Sequence, residues 1–494
     1  MALVDKDLLS LQEVRDMIRK ANEAQKEFAE FSQQDINQVV EAMKDVGERQ
    51  AEYLAQLAYQ ETGFGKWQDK KIKNEIASTG VYEYIKDMRT IGIIDEDQEN
   101  GIVEIGNPVG VIAALIPSTN PTSTVIYKAM IALKAGNAVV FSPHPSALNS
   151  ILKTVELLNK AAVKAGAPSG LIQSMTATTL EGTSALMKHA GVDLILATGG
   201  SAMVKAAYSS GTPALGVGPG NVPAFIERSA DVQEAISKII SSKTFDNGTV
   251  CASEQAIVTE NCVADKIKKE LQAQGGYFLS GEALEKVKAI METKRGGMNP
   301  KIVGQSASFI ADMAGIEIPK GTKLLISEET EVGKDIHFSK EKLTSLLAFY
   351  QVDNWKKACE KCYELLENGG LGHTLAIHSK NEEIIKAFAL EKPVSRLLVN
   401  TPSTQGAVGL STNLAPSFTL GCGAIGGSAT SDNVSPMHLI DIRRMAYGIK
   451  ERTQDTCKIS QATGTAEEKS SSAESLSKEE IDMITKLVMK NLKK

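Results

Sequence analysis

Short apolar runs alternate with helical stretches along most of the chain. From Val103 onward the runs are GVIAALIP, AVVFSP, LIQSM, LILATG and PALGVG, separated by stretches of helical periodicity such as TSTVIYKAMIALKAG. This alternation predicts a parallel sheet wound with helices. After VPAFIE the pattern restarts with AIVTE, KLLISE, LLAFYQV, HTLAIHS and RLLVN. We therefore predict a second α/β domain.

Two regions flank this pattern. Residues 7–90 are charged with helical periodicity, so we predict a helical N-terminal layer and identify no chemistry in it. Residues 451–475 are polar and rich in Ser, Thr and Ala, which is typical of a linker. The end of the chain, residues 476–494, predicts an amphipathic helix with a capping box from Ser477 to Glu480. Its apolar face comprises Ile481, Ile484, Leu487, Val488 and Leu492.

Composition and charge narrow the class of partner. The chain has 494 residues, 42% of them apolar, and a net charge of -6 from 54 basic and 60 acidic residues mixed along it. No basic stripe is present, so a nucleic-acid partner is not expected. The most apolar stretch, VGVIAALIPSTNP, breaks at Pro117, short of the ~20 residues of a membrane span. We expect a soluble, cytoplasmic protein with reduced thiols.

The usual dinucleotide signal is missing from the first strand. GVIAALIP is followed by STNPTST instead of a glycine fingerprint. The best substitute is LILATGGSAMVKAAY, where the strand ends at Thr198 and Ser201 starts a helix. Gly199 and Gly200 would let a phosphate approach the helix amides. A tight turn without a ligand is the alternative, and Gly218 lies in a similarly ambiguous stretch.

One cysteine has the surroundings of a nucleophile. Cys251, in NGTVCASEQ, is expected on a loop between a helix and a strand or on the first turn of a helix. Backbone amides there could stabilise a thiolate or an oxyanion, whereas simple packing is the alternative. Cys359 and Cys362 form a CxxC inside a charged helix and are expected at solvated or half-buried positions. Cys422 lies in a glycine-rich turn.

The order of motifs resembles the aldehyde dehydrogenase superfamily, and within it the CoA-acylating aldehyde dehydrogenases. The resemblance runs from about Ser10 to Gly448 through IPSTNPTST, VVFSPHPSA, ATGGSAMV, GVGPGNVPAFI, TVCASEQ, EKLTSLLAFY, GGLGHTLAIHS and LGCGAIGGSATSDNV. It implies that the Cys251 thiol attacks the aldehyde, that the adduct passes hydride to NAD, and that a thioester remains. Hydrolytic relatives carry a water-activating glutamate where this chain has Val217. Acyl transfer to coenzyme A therefore replaces hydrolysis in the implied reaction.

The resemblance also implies the residues of the site. Ser142 and Pro145 stand where hydrolytic relatives hold the adenosine ribose with Lys and Glu, so NADP is not excluded. Glu341 matches the glutamate on the nicotinamide ribose, a surface acid being the alternative without the resemblance, and Leu343 replaces the usual aromatic residue. The implied cofactor-binding residues are Pro117, Ser118, Thr119, Ser142, Pro143, His144, Thr198, Gly199, Gly200, Ser201, Val217, Gly218, Glu341 and Leu343.

Two further residues complete the implied catalytic set. Asn120 is chosen as the side-chain donor to the oxyanion because it has an amide, although ungapped alignment places Thr119 there. His373 is typical of the acylating branch and is expected near the thioester or CoA, or in a structural hydrogen bond. The resemblance implies a small aldehyde as the substrate, either acetaldehyde or propionaldehyde. A hydrolytic dehydrogenase and an inactive cargo protein are the rival functions.

The implied architecture is an aldehyde dehydrogenase-like α/β fold with two doubly wound domains, a small oligomerisation element and a tail helix. The resemblance implies a homodimer or homotetramer. It also implies a location inside a bacterial microcompartment, with residues 476–494 binding a shell protein; docking on its own domain or on a membrane surface is the alternative for this helix. The predicted divisions are 1–222 for the helical layer and dinucleotide-binding domain (oligomerisation strand near 101–108), 223–425 for the catalytic domain, 426–450 for the return segment, 451–475 for the linker and 476–494 for the targeting helix.

Overall fold

The computed structural model describes residues 5–293 and 297–450. The predicted linker and targeting helix, at 451–475 and 476–494, lie outside the described residues. The helices are α1 Lys6–Phe28, α2 Gln33–Arg49, α3 Ala51–Thr62, α4 Trp67–Glu75, α5 Val81–Ile85, α6 Pro121–Lys134, α7 Leu148–Lys164, α8 Leu180–Lys188, α9 Ser201–Tyr208, α10 Val232–Thr244, α11 Asn261–Ala273, α12 Gly281–Met291, α13 Ala307–Ala314, α14 Trp355–Glu367, α15 Glu382–Glu391 and α16 Ser403–Ala407.

Fifteen strands are present in the described residues. They are β1 Gly92–Asp97, β2 Ile102–Pro108, β3 Val111–Ile116, β4 Ala138–Pro143, β5 Ile172–Ser174, β6 Leu194–Thr198, β7 Ala214–Val217, β8 Val222–Ile226, β9 Glu254–Glu260, β10 Gly276–Phe278, β11 Leu324–Glu328, β12 Leu346–Val352, β13 Gly372–His378, β14 Val394–Val399 and β15 Ile440–Ala446.

Two parallel sheets form the main body, as the alternating pattern predicts. One has the order β5-β4-β3-β6-β7 and the other the order β10-β11-β12-β9-β8-β13-β14. All six residues of β3 are buried, and all seven of β9 are too. Strands buried on both faces read as continuous apolar runs, which explains why the sequence pattern locates them.

The first sheet has a topological switch point at β3. Its neighbours β4 and β6 lie on opposite sides of it, so the connections that follow β3 and β6 diverge. Ligands of wound parallel sheets bind outside the carboxyl ends of strands at such a point. The helix after β3, α6, begins with Pro121 at its first position, where the missing N–H is tolerated, and every residue of α6 is buried.

A third sheet has the order β1-β2-β15. It includes the strand predicted near 101–108. Asp97–Ile102 forms a separate small compact unit together with the described residues 446–450, and within it Tyr447 N donates to Gly101 O at 2.8 Å. In the described part of the chain, no helix combines the length and apolarity that crossing a membrane requires.

The CxxC pair lies in the core and not at the surface. Cys359 and Cys362 are on α14, as expected, but both are buried against the seven-stranded sheet. The expectation of solvated or half-buried positions is therefore wrong. The reason is the amphipathic character of α14, which turns these two positions inward together with Leu365 and Leu366.

Candidate active site

A cavity of about 230 Å³ opens at the carboxyl ends of β3, β6 and β7. It gathers residues that are far apart in sequence, since the strands of one parallel sheet end at the same edge. Thirteen of the predicted site residues line it: Pro117, Ser118, Thr119, Asn120, His144, Thr198, Gly199, Gly200, Val217, Gly218, Cys251, Glu341 and Leu343.

A second cavity of about 300 Å³ adjoins the first and shares Pro117, His144, Thr198, Gly199 and Gly200 with it. The predicted residues Ser142 and Pro143 line this second cavity. Ser201 lines neither; it is the first residue of α9 and faces a separate cavity with Lys205 and Cys422. His373 lines none of the three cavities.

The adjoining cavity borders Gly200, which directly precedes helix α9. The first amides of a helix lack intrahelical partners, and α9 begins directly after Gly200. A Cβ on Gly200 would meet nothing within 4 Å, so the approach to these amides is open. An anion such as a pyrophosphate is favoured at such a helix end. The Ser142 hydroxyl is buried and paired with Thr183 Oγ1 at 2.9 Å.

Cys251 lies on a short loop between α10 and β9, as the sequence predicts. A 3-10 turn at Phe245–Gly248 leads into it, and Asp246 and Asn247 there have left-handed φ values of 48° and 50°. L-residues adopt this conformation at a cost, and it is concentrated at functional sites. Such backbone is held in place only by strong local contacts.

The surroundings of the thiol disfavour its anion. The pKa of Cys251 is raised to about 12, mainly by burial and then by the Glu341 carboxylate and Cys422, while the Arg396 guanidinium and a backbone hydrogen bond oppose them. A backbone hydrogen bond at Cys251 does favour the thiolate, as expected of a loop, but burial outweighs it. Cys251 rests as a neutral thiol beside an apolar cluster that includes Val217, Val250 and Leu420.

Glu341 is the single carboxylate among the residues that line the Cys251 cavity. Its Oε1 accepts a hydrogen bond from Gly220 N at 2.9 Å. Burial raises the pKa of Glu341 to about 7, against the opposing effects of the Gly220 amide and of Lys243 and Lys342. The reading of Glu341 as a surface acid is wrong, because its carboxylate lies in the cavity.

Val217 is the last residue of β7 and is only 3% exposed. It lines the cavity and packs in the same apolar cluster that Cys251 contacts. An aliphatic side chain cannot accept a proton from water. No base therefore stands at this position.

His373 lies behind the loop that carries Gly220. A Cβ on Gly220 would stand 3.0 Å from the imidazole of His373. The imidazole is fully buried, its Nδ1 pairs with Thr374 Oγ1 at 2.9 Å, and its Nε2 has no partner among the described residues. Burial, together with Arg396, lowers the pKa of His373 to about 3, so the ring is neutral at physiological pH.

Sequence reasoning missed three buried cations near the site. Arg396 on β14 donates to His373 O at 2.9 Å and to Gly421 O at 2.7 Å, so it joins the histidine to the glycine-rich turn. Lys70 and Lys73 lie on α4 in the N-terminal layer, where no chemistry was expected. Lys70 donates to Thr119 O, and Lys73 donates to the Asn120 side chain. A lysine in a short, polar helix gives no signal of burial in the sequence.

The comparisons with known proteins agree with the fold. The aldehyde dehydrogenase family matches residues 5–332. The bifunctional aldehyde-alcohol dehydrogenase AdhE of Escherichia coli (strain K12) is 42% identical over 439 residues, covering 88% of this chain and 49% of that protein. The chain thus spans about half the length of the first curated relatives it matches. The acetylating succinate-semialdehyde dehydrogenase of Clostridium kluyveri is 37% identical, covering 89% of this chain and 96% of that protein.

Three solved structures extend the comparison. An acetylating aldehyde dehydrogenase from Geobacillus thermoglucosidasius is 51% identical with a TM-score of 0.90, covering 92% of this chain and 100% of that chain. A propionaldehyde dehydrogenase from the fucose utilisation microcompartment of Clostridium phytofermentans is 28% identical with a TM-score of 0.80, and the match covers 89% of this chain and 98% of that chain. The Rhodopseudomonas palustris propionaldehyde dehydrogenase with bound propionyl-CoA has the same identity and TM-score, covering 88% and 94%. The predicted fold class is confirmed.

Proposed function

The chain belongs to the aldehyde dehydrogenase family, and from this premise we propose that it oxidises a short-chain aldehyde to the acyl-CoA with NAD, and catalyses the reverse reaction. Acetaldehyde and propionaldehyde are the proposed substrates. The acetylating relatives and the propionyl-CoA complex of a structural neighbour support this choice.

One observation carries the choice of CoA over water as the acyl acceptor. Val217 lines the same cavity and apolar cluster as Cys251, and the resemblance implies that hydrolytic relatives carry their base at this position. Among the described residues that line the cavity, Glu341 is the single carboxylate, and its Oε1 already accepts a hydrogen bond from Gly220 N. A thioester on Cys251 therefore persists until a thiolate, a better nucleophile than unassisted water, displaces it.

The proposed roles follow from the chemistry of each group. The Cys251 thiol loses its proton to solvent as its sulfur bonds to the aldehyde carbon, and the C=O π electrons move onto the carbonyl oxygen, whose negative charge the Asn120 amide stabilises. NAD, when bound, supplies the acceptor for the hydride. The sulfur then carries an acyl group as a thioester. The CoA sulfur displaces the Cys251 sulfur, which returns as a thiol when it takes up a proton.

The second cavity is the proposed site of the adenosine half of NAD. The open amides at the start of α9 and the uncharged stretch Ser142–Pro143–His144 support it. Because the described residues that line this cavity include no carboxylate, the 2′-phosphate of NADP meets no like charge there. We therefore propose NAD as the cofactor and NADP as an accepted substitute.

The test is the NADH burst of the purified chain with and without CoA. Without CoA we expect at most one rapid NADH per active site and then near arrest; with CoA we expect steady turnover and acyl-CoA as the product. Cys251→Ala should abolish both, whereas Cys362→Ala, at a buried position away from the cavity, should keep both. Steady production of free acid without CoA would contradict the acylating assignment, and a complete lack of NADH would favour an inactive cargo protein.

We also propose that the chain forms a homodimer or homotetramer through the β1-β2-β15 sheet. The exposed pattern of β15 supports it, since Met445 is 44% exposed. We further propose that the chain divides into two domains at residue 222, and that the nucleophile lies in the second of them, residues 223–425.

Finally, we propose a location inside a bacterial microcompartment, with residues 476–494 as the address. The structural neighbour from a fucose utilisation microcompartment supports this. A volatile, reactive aldehyde gives a chemical reason for enclosure. The amphipathic pattern of the segment provides an apolar face for a shell protein.

A further inference from the structure

Two lysines of α4 are buried with a single carboxylate between them. Lys70 and Lys73 are each 2% exposed, and Asp246 is fully buried. The Lys70 ammonium lies 2.9 Å and the Lys73 ammonium 2.5 Å from the same oxygen, Asp246 Oδ2. Burying charges requires strong compensation, so an arrangement of this kind needs a reason other than stability alone.

Each lysine also holds one residue of the loop after β3. Lys70 Nζ donates to Thr119 O at 3.0 Å, and Lys73 Nζ donates to Asn120 Oδ1 at 2.6 Å. The third hydrogen bond of Lys73 goes to Thr249 Oγ1 at 3.0 Å. An ammonium has three hydrogens to donate and no acceptor. All three are therefore used, and none of these contacts can be reversed.

The hydrogen bond from Lys73 Nζ to Asn120 Oδ1 decides how the Asn120 amide is oriented. Its oxygen must face Lys73, because the NH₂ group of an amide cannot accept from an ammonium. The NH₂ group is then directed to the other side, where its contacts are Thr119 Oγ1 at 3.1 Å and Thr249 O at 3.4 Å. The contact with Thr249 O is long for a hydrogen bond, and Asn120 and Thr249 line the cavity together with Cys251. The amide hydrogen that faces Thr249 O is therefore only weakly held.

Asp246, the carboxylate shared by the two lysines, fixes the segment that leads to the nucleophile. Asp246 Oδ1 accepts from Lys66 N at 2.7 Å, and Asp246 N donates to Asp69 Oδ2 at 2.7 Å. A Cβ on Gly65 would overlap Asp246 Oδ1, so that position of the turn before α4 has room only for glycine. These contacts hold the left-handed backbone of Asp246 five residues ahead of Cys251.

Lys73 and Asp246 are both charged at neutral pH. Burial lowers the pKa of Lys73 to about 8, although Asp246 opposes this. Burial alone would raise the pKa of Asp246, but Lys70 and Lys73 outweigh it, and the pKa lies below its usual value. Lys73 therefore remains an ammonium where the enzyme is expected to work.

We propose that Lys73 is a positioning residue, which orients the Asn120 amide toward the Cys251 cavity and fixes it, through Asp246 and Thr249, to the segment that carries the nucleophile. The proposal rests on the proposed function and deepens it. It assigns the side-chain donor to the oxyanion as Asn120 and not Thr119. It also gives the N-terminal layer a part in the chemistry of the site.

A double-mutant cycle on the CoA-independent NADH burst tests it. Lys73→Met should slow the burst about 10- to 100-fold, since a loosely oriented donor loses part of its stabilisation of the oxyanion. The KM for the aldehyde should change by less than about twofold, because the amide acts on the adduct and not on the bound substrate. Asn120→Ala should slow the burst at least as much. Lys73→Met in the Asn120→Ala background should cause no further loss, because the lysine acts through the amide.

Lys71→Met is the matched control. Lys71 lies on the same helix, but its side chain is 38% exposed and pairs with Glu52 at 3.0 Å. The NADH burst of Lys71→Met should be as fast as that of the unaltered chain. Lys73→Gln is a second variant, whose shorter amide accepts as well as donates and so does not fix the Asn120 amide in one orientation; it should show a similar loss and the same lack of additivity.

Each other outcome overturns the proposal. It is overturned if the NADH burst of both Lys73 variants is as fast as that of the unaltered chain. It is also overturned if a Lys73 substitution slows the burst further in the Asn120→Ala background. If neither Lys73 variant folds, judged by circular dichroism, Lys73 serves the fold and not the amide. Because the burst precedes acyl transfer, these results do not depend on whether CoA or water accepts the acyl group. An unaltered chain that gives no burst overturns the proposed function itself.

Discussion

A methyl group on Gly220 would stand 2.4 Å from the carbonyl oxygen of Cys251. The loop after β7 therefore packs against the backbone of the nucleophile itself, and the His373 ring stands 3.0 Å from the same added methyl. The Gly220 amide is also the donor to Glu341. This one glycine sets the spacing between the nucleophile and the only carboxylate among the residues lining the cavity.

Gly220→Ala should accordingly damage both stability and catalysis. We expect the free energy of unfolding to fall by about 1–3 kcal/mol, as for other overpacked sites. The NADH burst should slow by about 10-fold or more, since small displacements of reacting groups are costly. Gly218→Ala is the control for stability, because its added methyl meets nothing within 4 Å. Urea unfolding of both variants measures the difference, and equal midpoints would contradict the close packing.

Most of the fold could be predicted from the sequence because its strands are buried on both faces. β3 reads as an unbroken apolar run, and β4, β6 and β12 begin with four, four and five apolar residues. Two strands gave no such signal. β10 has three residues, too few to show a period, and the six residues of β1, GIIDED, are mostly exposed.

The site was predictable only where its residues lie in the loops at the strand ends. Cys251, Val217 and Glu341 stand in motifs that the sequence displays, and the structure brings them to one cavity. Lys73 could not be found this way. Its partner Asp246 is 173 residues away, and burial of a lysine depends on a tertiary partner and not on its neighbours in sequence.

Val217→Glu should convert the chain into a slow hydrolase. A carboxylate placed in this apolar cluster has a raised pKa, which suits a base for water. We expect steady NADH formation without CoA after the burst, with free acid as the product. Val217→Gln has the same shape without the base, so it should keep the arrest that we expect of the unaltered chain. Steady turnover of the Gln variant would show that something other than the missing base prevents hydrolysis.

Glu341→Gln should make Cys251 more reactive toward iodoacetamide. Burial is the main reason for the raised pKa of Cys251, and the negative charge of Glu341 is the next. Removing that charge lowers the pKa of the thiol, so we expect alkylation at pH 8.5 to quicken about 3- to 10-fold. Mass spectrometry of the peptide that contains Cys251 follows the rate.

The pH dependence of this effect has a definite sign. The pKa of Glu341 is about 7, so its carboxylate is charged above pH 7 and neutral below it. The ratio of variant to unaltered rates should therefore be large at pH 8.5 and fall toward one at pH 6. Glu331→Gln removes an exposed acid ahead of the same loop and should leave the rate unchanged at both pH values. A ratio that does not vary with pH would exclude the charge of Glu341 as the cause.

The last prediction concerns residues 475–494, which lie outside the described residues. Their sequence places Ile484 and Val488 on one helical face with Leu487 beside them, and Lys490 on the opposite side. If the apolar face packs on a shell protein, a fluorescent reporter fused to this segment should co-purify with microcompartment shells, and Leu487→Glu should abolish it. Lys490→Glu should still co-purify, because it alters the basic face alone. Loss of targeting by Lys490→Glu, with Leu487→Glu unaffected, would point to an anionic membrane surface. A diffuse reporter beside an encapsulated intact enzyme would show that the address lies elsewhere in the chain.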